Sequence, residues 1–191
     1  MKSIMLIVQA LILLGFGLKM SFWSKRAGVT IAFLCLLFSL CILHWTVEIP
    51  QNRLTEWMRD YHSMQDIAVC LVLDVALQVA FCVMYVRKQY SASVSKAGMW
   101  AYRILSGYPG VLLFGGVFLT QVMLLGCLPG HSFWLTAFLQ GLFLLLVLLL
   151  LRKGFTQLLP QAENRLELLV LLELLAGILG ILSTVCGNQP L

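Results

Sequence analysis

Charge is scarce in this chain. Only 11% of its 191 residues are Asp, Glu, Lys or Arg, against 61% hydrophobic residues and a mean hydropathy of +0.95. A water-soluble domain of this size would leave far too much apolar surface exposed. Also missing are a soluble domain, a long linker and a low-complexity tail. The sequence has no G-x-S-x-G, H-E-x-x-H, phosphate-binding loop or dinucleotide fingerprint, so an enzyme is not the expected reading. Its six cysteines (35, 41, 70, 82, 127 and 186) form no C-x-x-C pair. Inside apolar segments a cysteine reads as a small packing residue, with a disulfide or redox role as the alternative. No small-x-small cleavage site follows the first apolar run, where Lys19, Met20, Ser21, Phe22 and Trp23 stand instead. That run is read as a retained helix.

What is present is a series of long apolar runs. About 20 such residues let a helix cross a bilayer, and only a helix pairs all its backbone groups within one segment there. The expected fold is therefore all-α, a polytopic transmembrane bundle forming one membrane domain over residues 1–191. Six spans are expected at about 3–22, 28–44, 64–86, 108–128, 133–151 and 166–186. Lys19, at the end of the first, is read as snorkelling to the interface. Between the second and third, Leu54, Trp57, Met58 and Tyr61 share one helical face, with Arg53, Glu56, Arg59 and Asp60 opposite. An interfacial amphipathic helix is expected over residues 52–62, after Pro50 and capped by Asn52.

The net charge of +5 reflects basic residues placed between apolar runs, so no nucleic-acid partner is expected. Lys19, Lys25 and Arg26 follow the first span; Arg87, Lys88, Lys96 and Arg103 the third; Arg152, Lys153 and Arg165 the fifth. Lys2, Arg53 and Arg59 fall on the other side. The positive-inside rule puts the three basic connections in the cytoplasm and both termini outside it. The expected location is the inner, cytoplasmic membrane of a bacterium, with lipid and either partner membrane subunits or a second copy of the chain as neighbours.

Polar residues within the runs are the candidate functional residues. Asp74 falls near the middle of the third span, where an ionised carboxylate costs ~2.5–3.5 kcal/mol unless paired, protonated or wetted. Asp66, Cys70, Asp74, Gln78 and Cys82 recur every four residues, as one polar stripe expected to face protein. Glu173 lies in the sixth span on a face with Gly177, Gly180 and Thr184, and the small residues Ala176, Gly180 and Thr184 allow close helix approach. Asp74, Gln78 and Glu173 read either as a proton or cation relay, or substrate-binding groups, or as hydrogen-bonded residues that fix helix register. The fourth span is rich in glycine (107, 110, 115, 116 and 126) and carries Gln121, and the fifth carries Gln140 and Gly141. These glycines read as close packing, with a substrate passage as the alternative.

His44, His62 and His131 are expected at one level on the outer side, near Glu48, Asp66, Cys127 and Cys186. Such side chains ligate metals and haem iron, although none shows a ligand spacing such as H-x₃-H.

Residues 172–187 read Leu172-Glu173-Leu174-Leu175-Ala176-Gly177-Ile178-Leu179-Gly180-Ile181-Leu182-Ser183-Thr184-Val185-Cys186-Gly187. This stretch resembles the G-L-L-G-T-V-x-G helix of the MotA/TolQ/ExbB proton-channel family. Serine stands at 183 where the family has glycine. The resemblance implies a helix running from cytoplasm to periplasm, Thr184 on a proton path, and a part in an ion-driven motor complex such as one energising uptake. Three functions are accordingly in view. One is a membrane subunit of a transport or ion-driven (proton-motive) complex, possibly serving nutrient or cofactor uptake. Another is a self-contained small six-helix transporter or substrate-binding membrane module. The third is a haem- or metal-binding redox membrane protein.

Overall fold

The structure, a computed structural model, describes the backbone of residues 2–49, 61–90, 96–127 and 132–186, and the side chains of 7–49, 65–90, 96–126 and 132–182. The described residues are helical throughout, with no strand: α1 (Lys2–Met20), α2 (Lys25–Cys41), α3 (Leu43–Glu48), α4 (Tyr61–Tyr90), α5 (Lys96–Gly107), α6 (Val111–Cys127), α7 (Phe133–Leu158) and α8 (Ala162–Cys186). The amphipathic helix expected over 52–62 lies outside the described residues, apart from Tyr61 and His62, which open the backbone of α4.

Among the described residues, four helical segments are long and apolar enough to cross a membrane: Lys25–Glu48, Gln65–Tyr90, Lys96–Gly126 and Phe133–Leu158. This is the architecture of an integral membrane protein. Lipid also accounts for the many exposed large apolar side chains, among them Leu73, Val83, Phe143, Leu150 and Leu171. In water each would be a liability, whereas in hydrocarbon each is solvated.

Two segments differ from the expectation in extent. The second runs on through a bend at Ile42 to Glu48 rather than ending at His44. The fourth starts not at 108 but at Lys96, as α5, and is interrupted at Tyr108–Gly110 before α6. Arg103 and Lys96, assigned from sequence to a connection, are thus helical residues.

The packing forms two linked halves. On one side α2 lies along α7, and Gly141 brings the backbones together: a Cβ there would stand 3.3 Å from the Leu36 Cα. Phe16, Met20, Ala32, Cys35, Leu113, Val117, Leu144 and Leu148 fill that core. On the other side α8 lies against both α1 and α4. Gly177 and Gly180 receive Val75 and Leu71 of α4, so the small-residue face of α8 does carry a close helix contact. Leu18, Phe81, Cys82, Leu166 and Leu169 form this second core.

Basic residues gather at one end. Arg152 donates to the carbonyls of Lys25 and Trp23, Arg165 donates to that of Ser21, and Lys88 sits 4.2 Å from the Tyr102 ring centroid. Exposed Trp45 and Trp134 mark the opposite end, where α3 and the start of α7 adjoin. On α7 the 18 residues from Trp134 to Arg152 rise ~27 Å, close to the ~30 Å of a hydrocarbon core. Aromatic and basic residues of this kind belong at membrane interfaces.

Candidate functional site

The polar interior begins with Lys19, the residue farthest from its sequence expectation. It does not snorkel outward: its side chain is fully buried, at 0% exposure. Side chains on a helix point back toward its N-terminus, so a lysine in the last turn of α1 can reach inward where neighbouring elements place acceptors for it. Lys19 Nζ donates to Gln78 Oε1 and to the Tyr108 carbonyl oxygen, both at 2.7 Å. It also lies 4.8 Å from the Phe81 ring centroid and 5.6 Å from that of Tyr108, where the rings' negative faces attract a cation.

Asp74 and Gln78 are one turn apart on α4 and both are buried, at 5% and 4% exposure. Asp74 Oδ1 accepts the Tyr108 hydroxyl at 2.6 Å and the Val111 backbone N–H at 3.2 Å. Val111 is the first residue of α6, so the carboxylate sits at the positive end of that helix's dipole. The Tyr108 carbonyl, bonded to Lys19, immediately follows α5, at the negative end of that helix. The break at 108–110 therefore presents opposite dipole ends to opposite charges. Interrupted membrane helices build ion and substrate sites in this way.

Gly110 makes the break possible. Its φ of +91° is a backbone conformation that side-chain-bearing residues rarely adopt. A Cβ there would also fall 3.2 Å from Asp74 Oδ2 and from Gln78 Nε2. Pro109, lacking an N–H, suits an interrupted helix.

Glu173 approaches from α8. Its carboxylate lies over the bare backbone of Gly15 in α1, where a Cβ would be 2.8 Å from Oε1. Lys19 and Asp74 are both within electrostatic range of it. Gln78 is nine residues from Arg87 and Glu173 eight from Arg165, which places the cluster ~12–14 Å inward from the basic end and so near mid-membrane.

A second polar group lies toward the tryptophan end. Ser39 Oγ is 3.3 Å from Gln121 Oε1 and 3.2 Å from the Ala137 carbonyl, and Gln140 Nε2 donates to the Val117 carbonyl at 3.1 Å. Gln121 Nε2 and Gln140 Oε1 have no hydrogen-bond partner among the described residues. The Gln9 amide packs against Gly116, between this group and the Asp74 end of α6. Gly107 and Gly115, by contrast, meet nothing that a Cβ would touch, so close packing explains only part of the glycine content.

Of the residues singled out from sequence, Asp74, Gln78 and Glu173 come together. The four-residue stripe on α4 divides: Asp74, Gln78 and Cys82 are buried, while Asp66 and Cys70 are exposed. The side chains of Thr184, Cys127 and Cys186 lie outside the described residues, as do that of His62 and all of His131. Exposed His44 pairs with Glu48 one turn on, Nε2 to Oε1 3.7 Å. Among the described residues, no group of three or more His, Cys, Asp or Glu converges as metal ligands would. Cys35, Cys41, Cys70 and Cys82 are free thiols. Lys19 and Tyr108 are the members that sequence reasoning missed. The signal for Tyr108 was the Gly107-Tyr108-Pro109-Gly110 run, a helix breaker within an apolar segment.

Comparison with known proteins adds no family: no family model, curated protein or solved structure matches the chain significantly.

Proposed function

We propose that the chain is an integral membrane subunit of a proton-driven transport complex, and that its Lys19–Asp74–Gln78–Glu173 cluster handles the proton. The observation that carries this reading is the charge balance of the cluster. One lysine faces two carboxyl groups in the bundle interior, at a helix break that presents both dipole ends. With all three ionised the cluster bears a net charge of −1, which is costly away from water. One proton makes it neutral. A site that gains and loses a single proton at mid-membrane is the working part of a proton-coupled device. Two hydrogen bonds and two aromatic rings hold Lys19 in place, and in this reading the varying charge is on the carboxyl side.

The reading includes six crossings, with α1 and α8 joining the four segments named above. The basic end lies in the cytoplasm and both termini outside it, following the positive-inside rule. A bacterial inner membrane suits this arrangement. The resemblance of residues 172–187 to the MotA/TolQ/ExbB helix accords with it, since Glu173 stands at the start of that stretch. A self-contained transporter is the second reading, favoured by the broken α5–α6 crossing, whose dipole ends would serve a small charged substrate equally well. The haem or metal reading gains no support from His44, which is exposed and engaged with Glu48.

The test is proton flux. The purified chain, alone and with whatever membrane subunits co-purify in mild detergent, is reconstituted into vesicles containing a pH-sensitive dye, and a membrane potential is imposed. Asp74→Asn should fold, because an asparagine oxygen still accepts from Tyr108 and Val111. It should nevertheless lower proton entry, because it strips the cluster of the carboxylate fixed beside the helix break. Flux equal to that of the unaltered chain overturns the relay.

A further inference from the structure

The two carboxyl groups of the cluster are held in different ways, and that difference divides their labour. Asp74 is fixed. Its Oδ1 accepts from Tyr108 and from the first N–H of α6, and Gly110 leaves room beside Oδ2. Glu173 has no comparable anchorage: its Oε1 rests on the bare backbone of Gly15, and it is half-buried between α1 and α4. The ionisable groups facing it are Lys19 on α1 and Asp74 and Cys82 on α4. It is therefore the carboxyl with the longest side chain, the fewest hydrogen bonds and a like charge nearby.

We infer that Glu173, seated on Gly15, is the group that takes up and releases the proton, while Asp74 stays fixed at the α5–α6 break. When two carboxyl groups share a site, unequal surroundings assign them unequal roles. The step is a plain proton transfer. The Glu173 carboxylate accepts a proton from water on one side, becomes a neutral acid, and returns that proton to water on the other side; no other bond changes. Gly15 acts as a positioning residue, because any side chain there would push the carboxyl out of its seat.

This inference rests on the reading that the cluster handles a proton, but it has its own measurement. Infrared difference spectra of the full chain in lipid, recorded across a pH titration, show the carbonyl stretch of a protonated carboxyl group. The unaltered chain should show one such titrating band. Glu173→Gln should abolish it and Glu173→Asp should restore it. Asp74→Asn should keep it, because the band belongs to Glu173. A band that survives Glu173→Gln, or the absence of any titrating carboxyl in the unaltered chain, overturns the assignment. Should Glu173→Gln fail to fold, Gly15→Ala replaces it: a methyl 2.8 Å from Oε1 must shift the band's midpoint, and an unmoved midpoint overturns the assignment. Vesicles that pass no protons while the band still maps to Glu173 would sink the transport reading and leave this assignment standing.

Discussion

Lys19 shows how far one residue's neighbours govern its meaning. Near the end of an apolar run it is indistinguishable by sequence from the many lysines that reach the headgroups. Its burial follows from where α4 and the α5–α6 break place acceptors, and no periodicity in α1 encodes that. Asp74, Gln78 and Glu173 were legible because a polar group at that depth needs a partner, whatever the fold. The partner itself was not legible. The contacts give a direct expectation: Lys19→Met leaves Gln78 Oε1 and the Tyr108 carbonyl without their donor and the nearby carboxyl groups without their cation, and should destabilise the protein by about 1–3 kcal/mol, the usual cost of leaving a buried polar group unsatisfied. Combining it with Asp74→Asn should recover much of that loss. Thermal unfolding of the single and double variants in detergent checks this, and additive losses would mean that the two side chains do not interact.

At the scale of elements, two features depend on glycine for different reasons. Gly110 turns the chain between α5 and α6 at φ +91°, so Gly110→Ala should cost about 1–2 kcal/mol in backbone strain alone. Its methyl would also press on Asp74 and Gln78, so proton flux should fall by more than the stability loss explains. Gly141 lets α2 and α7 touch at backbone distance, so Gly141→Leu should separate them, costing about 1–3 kcal/mol or more by overpacking. That variant lies away from the cluster, so the flux of whatever protein remains folded should be preserved. Unfolding midpoints and flux measured together separate the two cases. The break at 108–110 was marked in the sequence by Pro109 between Gly107 and Gly110, and it read as the start of a crossing because Lys96 and Arg103 before it read as part of a basic connection. Only the packing of α5 on α4, through Tyr102 against Phe81 and Tyr85, shows it to be part of the same crossing.

The whole molecule is built as lipid requires: apolar side chains outside, small residues at helix contacts, and polar atoms turned toward one another. Composition and run length made that much plain, because both follow from the solvent. The arrangement of helices did not follow, since α2 could face several partners with equally apolar stripes and only shape selects α7. The basic end, with Arg152 and Arg165 gripping the turn after α1, and the tryptophan end are separated by about one bilayer core, which sets the charge cluster at mid-depth. If that end is cytoplasmic, a cysteine introduced at Lys153 should react with a membrane-impermeant thiol reagent only after the cytoplasmic face is opened, once the native exposed thiols have been replaced. The central claim is the charge count of the cluster, and counting protonated carboxyl groups by infrared spectroscopy at neutral pH tests it most directly. The unaltered chain should hold one, and Lys19→Met, which removes the only cation, should hold two. The same number in both would contradict the account.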